Sequence, residues 1–297
     1  MMNLNYREFC EQLCECVQRI LGDEFKVRLN DVVKVNNVHR TGLVFHRDGE
    51  NVSPTIYLEG SYNEFCQEEI SIEEIAVEIV SQYKDVKNQF PFNFEMLNEN
   101  NIIAVAVNTY SNMSLLADVP CRSVSEDYSL FYKYRVGDDC NRGTITINDE
   151  LAEKYGYTEE QLYEIAMRNT PIALPVSIKS MMAALFGDGA DVNPDDINLD
   201  ELYVMSNSEN FYGSTALFYP ETMSMLSKTF DSKFLVCLPS SIHEWILIAT
   251  NECPNYAMMT EMIESVNETE VRPEEVLGHT PLILEKNASN TFEIRNY

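Results

Sequence analysis

The sequence predicts an α+β protein in which antiparallel or mixed sheets pack against helices. Short runs of apolar and β-branched residues, bounded by turn residues, alternate with segments whose apolar residues recur at helical spacing. Several helical segments open with a capping-box pattern, in which Ser, Thr or Asn stands three residues before Glu or Gln. Because 45% of the 297 residues are hydrophobic, the chain can bury a substantial core.

Three helices in the first 170 residues or so are predicted from their capping boxes. The boxes pair Asn5 with Glu8, Ser71 with Glu74, and Thr158 with Gln161. Strand-like runs lie between these helices and cover residues 25–29, 32–35, 42–46, 55–58, 102–107, 128–136 and 144–147. The first four of these runs are expected to form a small antiparallel sheet.

The C-terminal region is predicted to form a β-β-α-β-β-α unit. Its strands should cover residues 202–205, 214–219, 234–238 and 242–248, with helices after Pro220 and Pro254. Proline suits the first turn of a helix, where its missing amide would have no partner. A tight connection at 239–241 should join the last two strands, and a closing hairpin is predicted at 282–285 and 291–294.

The composition changes abruptly after residue 186. Residues 187–196 are rich in Asp, Gly, Asn and Pro, which is typical of a loop or a linker between domains. We therefore predict an N-terminal α+β region at 1–186, an acidic loop or linker at 187–201, and a C-terminal α+β region at 202–297.

The acidic loop partly resembles an EF-hand calcium site. Asp191, Asn193 and Asp195 stand at the alternating positions that supply calcium ligands. The sixth position is Asp196 where the loop geometry requires Gly, and the twelfth is Leu202 where a bidentate carboxylate is needed. A solvated linker is the simpler interpretation, and the sequence predicts no metal site and no cofactor.

The charge of the chain predicts the class of its partners. The 48 acidic and 21 basic side chains give a formal net charge of −27. A field of this sign repels phosphate backbones and anionic membrane surfaces, so nucleic acid and membranes are not expected partners. Solubility alone explains such a surface, and a basic protein partner is the next interpretation.

The sequence also predicts a cytoplasmic location. No uninterrupted apolar run is longer than that at 102–107, which is far shorter than the roughly 20 residues that a membrane span needs. The N-terminus lacks the pattern of a secretion signal. The eight cysteines contain no C-x-x-C pair, and free thiols in a reducing compartment are their simplest explanation.

The string Leu-Pro-Ser-Ser-Ile-His-Glu at 238–244 holds the candidate catalytic residues, which are Ser241, His243 and Glu244. A hydrolase could use the histidine with the serine or the carboxylate. On a strand, however, adjacent side chains point to opposite faces, so His243 and Glu244 could not bind one metal together. A packed histidine is the simpler interpretation, since no G-x-S-x-G elbow, Walker loop or zinc spacing accompanies it.

About half of the chain resembles a known bacterial family. The residues that carry the resemblance are 158–164, 169–171, 202–207, 212–214, 238–244, 266–267 and 273–277. The family is common in gut Firmicutes, often occurs on mobile elements, and is catalogued as domain of unknown function 5688. The resemblance implies a shared fold and a mobile-element or host-adaptation setting, and it brings no activity, cofactor or catalytic residue with it.

Two hypotheses follow from the sequence. The first is a non-enzymatic interaction or accessory protein of a bacterial mobile element, whose acidic surface meets a basic protein partner. The alternative is a hydrolase whose site forms around His243 with Glu244 or Ser241. A cleft in which His243 meets several titratable groups would favour the second hypothesis.

Overall fold

A computed structural model describes residues 4–49, 53–67, 70–89, 97–137, 142–186, 191–193, 197–199 and 201–295. Helices and antiparallel sheets confirm the predicted α+β class. The chain forms two compact units. Unit 1 comprises Met1–Lys34, Val38–Leu97 and Val136–Gly143, and unit 2 comprises Val35–Asn37, Asn98–Arg135 and Thr144–Tyr297.

Unit 1 contains a three-stranded antiparallel sheet in the order β1-β2-β3. Its helices and strands are α1 (Tyr6–Leu21), β1 (Lys26–Val33), β2 (His39–His46), β3 (Thr55–Tyr57), α2 (Glu59–Gln67) and α3 (Ile72–Gln89). The two strands predicted at 25–29 and 32–35 are one strand, because β1 pairs with β2 along its whole length.

Helices α1 and α3 begin where their capping boxes predict. The Asn5 side chain accepts from the Glu8 N–H, and the Glu8 carboxylate accepts from the Asn5 N–H, both at 3.0 Å. Ser71 and Glu74 make the same exchange at the start of α3. Side chains from α1, α3 and one face of the sheet form the core of the unit, which includes Phe9, Leu13, Leu43, Phe45 and Tyr83.

The remaining elements include a six-stranded antiparallel sheet in the order β13-β12-β10-β11-β9-β8 and a second sheet in the order β4-β6-β5, with β7 paired to β6. In chain order they are β4 (Ile102–Asn108), α4 (Met113–Leu116), β5 (Cys121–Ser123), β6 (Tyr128–Gly137), β7 (Arg142–Thr146), α5 (Asp149–Tyr155), α6 (Glu159–Ala173), β8 (Val176–Ser180), α7 (Met181–Phe186), β9 (Leu202–Asn207), α8 (Thr222–Thr229), β10 (Phe234–Ser241), β11 (Glu244–Thr250), α9 (Tyr256–Thr269), β12 (Leu282–Lys286) and β13 (Phe292–Arg295).

Strand β4 is buried although it lies at the end of its sheet. It pairs with β6 on one side. On the other side, the Ala104 N–H donates to Thr170 Oγ1 at 3.0 Å, and the Ala106 N–H donates to Thr215 Oγ1 at 2.9 Å. Thr170 lies on α6, and both threonines are buried. Two side-chain hydroxyls therefore satisfy amides that a neighbouring strand would otherwise satisfy.

The two faces of the six-stranded sheet pack differently. One face contributes Tyr203, Met205, Leu235, Trp245 and Leu247 to the largest hydrophobic core of unit 2. The other face contributes a smaller cluster, in which strands β10 and β11 meet Met259 and Ile263 of α9. Helix α9 thus covers part of this second face through Met259 and Ile263.

One predicted strand of the C-terminal unit is wrong. Residues 214–219 are an apolar run that predicts a strand, but Gly213–Phe218 form a 3₁₀ helix between β9 and α8. The helix is buried almost throughout, and the Ser214 N–H and hydroxyl both donate to the Ile242 carbonyl. A short apolar run indicates burial more reliably than it distinguishes strand from helix.

The acidic segment 187–201 connects two neighbouring strands of one sheet. Strand β8 precedes it, β9 follows it, and the two strands pair directly, with Ile178 opposite Met205. The strands on either side of this segment are thus hydrogen-bonded neighbours, and the three-part division suggested by composition stays a prediction. Asp195 and Asp196 of the calcium-like pattern lie outside the described residues, whereas the Asp191 carboxylate accepts from the Ser177 hydroxyl.

Candidate functional site

His243 lies in a tight turn between two strands. Strand β10 continues through the predicted connection to Ser241, and β11 begins at Glu244, so Ile242 and His243 form the turn. The strand start predicted at 242 is therefore displaced. The pairing of β10 with β11 shifts register between Pro239 and Ser241. This irregularity lets β10 include Pro239, which has no backbone N–H to donate, and continue to Ser241.

The imidazole of His243 is held by its neighbours. Its Nδ1 accepts a hydrogen bond from the Tyr212 backbone N–H at 3.1 Å, so the proton of the neutral ring lies on Nε2. The Tyr212 ring stacks on the imidazole, with centroids 5.8 Å apart. Burial lowers the pKa of His243, and the carboxylates of Glu275 and Glu244 oppose this effect less strongly. The ring is therefore neutral at pH 7.

The other candidate residues bond to their local surroundings. Ser241 Oγ accepts from the His243 backbone N–H at 3.1 Å, and the Ser240 hydroxyl donates to the Glu244 carboxylate at 3.0 Å. Within the described ranges, no hydrogen bond joins the His243 ring to Ser241 or to Glu244. The three side chains are adjacent in sequence, yet they do not form the hydrogen-bonded pair of a nucleophile and its base.

The segment before the 3₁₀ helix supports the His243 turn. The Ser206 hydroxyl donates to the His243 carbonyl at 2.7 Å. The Asn207 side chain accepts from the backbone N–H groups of Glu209 and Phe211 and donates to the Phe211 carbonyl. These contacts shape the loop that brings the Tyr212 N–H to the imidazole, and they are structural in character.

A buried lysine lies next to the same loop. Lys133 of β6 is 9% exposed, and its Nζ lies 3.1 Å from Thr146 Oγ1. The same Nζ lies 5.5 Å from the centroid of the Tyr212 ring, a cation–π distance. A charged residue within the aromatic run of β6 is the signal that could have identified it, whereas nothing local connects residues 133, 212 and 243.

The hydrogen bond to His243 Nδ1 predicts a dependence of stability on pH. The pKa of His243 in the folded protein is lower than its usual value of 6.5, so the unfolded chain takes up this proton first as the pH falls. The free energy of unfolding should therefore decrease from about pH 6.5 downward, by at most about 1.4 kcal/mol per pH unit from this one group.

Urea unfolding at a series of pH values tests this effect. His243→Gln keeps a hydrogen-bond acceptor but cannot titrate, so its stability should fall less between pH 7 and pH 5 than that of the wild type. An identical pH dependence in both proteins would show that His243 does not contribute.

Helix α9 offers a different kind of surface. Its Met259 and Ile263 face the sheet, whereas Met258, Met262 and Val266 are 60%, 45% and 43% exposed. Residues four apart lie on the same side of a helix, so the three exposed side chains form one stripe, which we call the α9 stripe.

Apolar strand residues extend this surface on the face of the sheet that α9 covers. Ile246 and Ile248 are only partly buried, and they pack in the same cluster as Ile263. Leu202 pairs with Ile248 across β9 and β11 and is 41% exposed. Large apolar side chains that are exposed together mark interaction sites more often than isolated ones do.

The surroundings of the α9 stripe are acidic. Between Lys233 and Arg272 the chain contains no Lys and no Arg. The acidic residues of this stretch are Glu244, Glu252, Glu261, Glu264, Glu268 and Glu270. Glutamates 261, 264 and 268 are exposed on α9 itself, so the helix combines an apolar stripe with a negatively charged one.

The family model described as "Family of unknown function (DUF5688)" matches residues 6–282. The chain belongs to this family. The match confirms the resemblance that the sequence motifs indicate. Comparisons with curated proteins and with solved structures gave no match.

The DUF5688 match includes both the His243 turn and α9. In the described part of this DUF5688 protein, no three His, Cys, Asp or Glu side chains lie close enough together to hold a metal ion. No helix among the same residues has the length and apolar character needed to cross a membrane.

Proposed function

We propose that this protein is a non-enzymatic binding factor that holds a basic, amphipathic helical segment of a partner protein on the surface around the α9 stripe. The observation that supports the proposal is the exposed row of Met258, Met262 and Val266 in a stretch of chain without Lys or Arg. The mobile-element setting implied by the sequence resemblance, and a cytoplasmic location, belong to the same proposal.

The chemistry of the stripe suits a helix as its partner. Methionine side chains are flexible and polarizable, so they adapt to the irregular apolar face of an incoming helix. An amphipathic helix buries its apolar face in such a surface and leaves its polar face at the rim. Lysines or arginines on that rim would meet Glu261, Glu264 and Glu268, so the charges as well as the apolar contacts are complementary.

The net charge of −27 supports the same class of partner. At physiological salt the field of exposed charges decays over about 8 Å, so it acts mainly on a partner that is already near the surface. There it raises the association rate of a basic partner and opposes an acidic one. A second copy of this chain is disfavoured by that repulsion.

The hydrolase alternative has less support. His243 Nδ1 is occupied by the Tyr212 N–H, and Ser241 Oγ is occupied by a backbone N–H. The arrangement gives the histidine a role in holding a turn, and no observation on the described residues directs it toward a substrate.

A synthetic peptide tests the proposal directly. The probe is a fluorescein-labelled amphipathic helix of leucine and lysine about 18 residues long, which is five turns. We expect it to bind with a clear rise in fluorescence anisotropy. Met258→Lys places a positive charge in the stripe and should weaken binding about tenfold or more, because it removes apolar contact and repels the lysines of the probe.

Met113→Lys is the matched control, since Met113 is 67% exposed on α4 and the substitution is the same. It should leave the affinity unchanged, and added salt should weaken binding to the wild type. Equal loss in both variants, or no binding of the probe by the wild type, would refute the proposal. Sedimentation showing a dimer that Met258→Lys dissociates would replace it with self-association.

A further inference from the structure

The sheet of unit 1 has one face that is not part of its core. Cross-strand pairs share a face of a sheet. The pairs of Val27 with Phe45 and of Leu43 with Ile56 lie in the core with α1 and α3. The alternate residues of the same strands therefore lie on the opposite, outer face.

The outer face is basic. Strand β1 places Lys26 and Arg28 there, and β2 places Arg40 and His46 there. Lys34 belongs to the same face, because its Nζ lies 4.3 Å from the ring centroid of Tyr57, which β3 presents on this side. None of the outer-face positions in β1, β2 and β3 is Asp or Glu. We call these five residues, Lys26, Arg28, Lys34, Arg40 and His46, the basic face.

Among the described residues, three members of the basic face have no acidic partner. Arg40 lies 4.0 Å from the Glu59 carboxylate, but no ion pair among the described residues joins Lys26, Arg28 or His46 to a carboxylate. All three side chains are exposed. In a chain with more than twice as many acids as bases, such a cluster is unexpected unless an anion compensates it.

The register brings these residues close together. Lys26 is directly opposite His46, and Arg28 is two residues along the same strand, about 7 Å away. Basic groups held at such distances repel one another, which weakens the sheet. A bound anion would remove that repulsion.

The same residues line a concavity of suitable size. Its volume is about 570 Å³, within the range of small-molecule sites. Its lining comprises Lys26, Arg28, Leu29, Asn30, Val44 and His46. Its charged groups, the Asn30 amide and the aliphatic Val44 side chain suit a ligand with an anionic end and a less polar remainder, whereas the Leu29 side chain packs toward the core.

From this geometry we infer that the basic face binds a small phosphate-bearing molecule in the concavity. The Arg28 guanidinium can donate two parallel hydrogen bonds to phosphate oxygens. Lys26 supplies a second positive charge, and the His46 imidazole and the Asn30 amide supply further donors. Val44 would contact the uncharged part of the ligand.

The observations favour a small anion over a nucleic acid. Eight residues of β1 span about 26 Å, so the basic face is short. A polynucleotide would extend beyond it onto a chain whose net charge is −27, where its phosphates would be repelled. A molecule confined to the concavity meets only the local cations, because more distant charges are screened.

Calorimetric titration with inorganic pyrophosphate tests the inference on the full chain at about 50 mM salt. We expect one binding site per chain. Arg28→Ala should weaken binding about tenfold or more, and Arg28→Lys should weaken it less, because charge is kept while the two-bond geometry is lost. Arg7→Ala is the matched control, since Arg7 is an exposed arginine of the same unit that pairs with Glu11.

Each result has a defined meaning. Pyrophosphate binding that is absent, or that Arg28→Ala and Arg7→Ala weaken equally, would overturn the inference. A single-stranded oligonucleotide that binds more tightly than pyrophosphate and depends on Arg28 would replace it with nucleic-acid binding. Met258→Lys should leave pyrophosphate binding intact, so this test and that of the α9 stripe can fail independently.

Discussion

Gly213→Ala is expected to lower the free energy of unfolding by about 3 kcal/mol or more. A methyl group at residue 213 would overlap Ser206 Oγ and the His243 carbonyl oxygen, and it would lie 2.8 Å from the Asn207 nitrogen. Two of these atoms belong to the backbone and cannot swing away. Ser206 Oγ and the His243 carbonyl oxygen are also joined by a 2.7 Å hydrogen bond. The substitution therefore both overpacks the site and breaks this hydrogen bond.

Urea unfolding followed by tryptophan fluorescence measures this effect, because the single tryptophan, Trp245, is buried in unit 2. Gly60→Ala is the control. Its unfolding is followed by circular dichroism, because Gly60 belongs to unit 1 and Trp245 to unit 2. Gly60 lies on α2 with open space around it, so alanine should be neutral or should stabilise by up to about 1 kcal/mol. A cost below about 1 kcal/mol at Gly213 would mean that the turn moves freely.

Trp245→Ala is expected to cost about 3–5 kcal/mol. The indole is fully buried, lies edge-on to Tyr128 with centroids 5.2 Å apart, and approaches Phe218. Its Nε1–H donates to the Ser214 carbonyl at 2.8 Å. The substitution leaves a cavity and also removes the donor to a buried carbonyl, so the two costs combine.

Circular dichroism during urea unfolding measures the loss, since this variant has no tryptophan fluorescence. Trp245→Phe keeps most of the packing but not the hydrogen bond, so it should fall between the wild type and Trp245→Ala. Tyr110→Ala, at a residue that is 63% exposed, should change stability by less than about 0.5 kcal/mol. Equal effects at residues 110 and 245 would contradict the packing described for the core.

Local signals in the sequence predict local structure well. Asn5 with Glu8 and Thr158 with Gln161 form the reciprocal bonds of the capping box because both partners lie within one helical turn. Alternation likewise predicts most strands. The 3₁₀ helix at Gly213–Phe218 was missed because its partner, the Ile242 carbonyl, is distant in sequence. An apolar run shows only that a segment is buried, and a buried strand and a buried 3₁₀ helix share that property.

The sites depend even more on distant contacts. His243 was singled out from its own string, but its ring is held by Tyr212, 31 residues earlier. Lys26 and Arg28 alternate within the strand predicted at 25–29, and this spacing is the local signal of the basic face. Their alignment with His46 was not predictable, because it depends on the register of β1 and β2. The chain that joins β1 to β2 has a left-handed backbone at Asn36 and Asn37, and the geometry of such a connection sets the register.

The threonines beside β4 also protect the chain from aggregation. A strand at the end of a sheet ordinarily offers free amides to a strand from another molecule, and the risk is greatest for a long apolar strand such as Ile102–Asn108. Thr170 and Thr215 occupy the amides of Ala104 and Ala106 with side chains that cannot continue a ladder. Addition of a further strand is thereby blocked at this edge, while the strand keeps its apolar sequence and remains hydrogen-bonded on both sides.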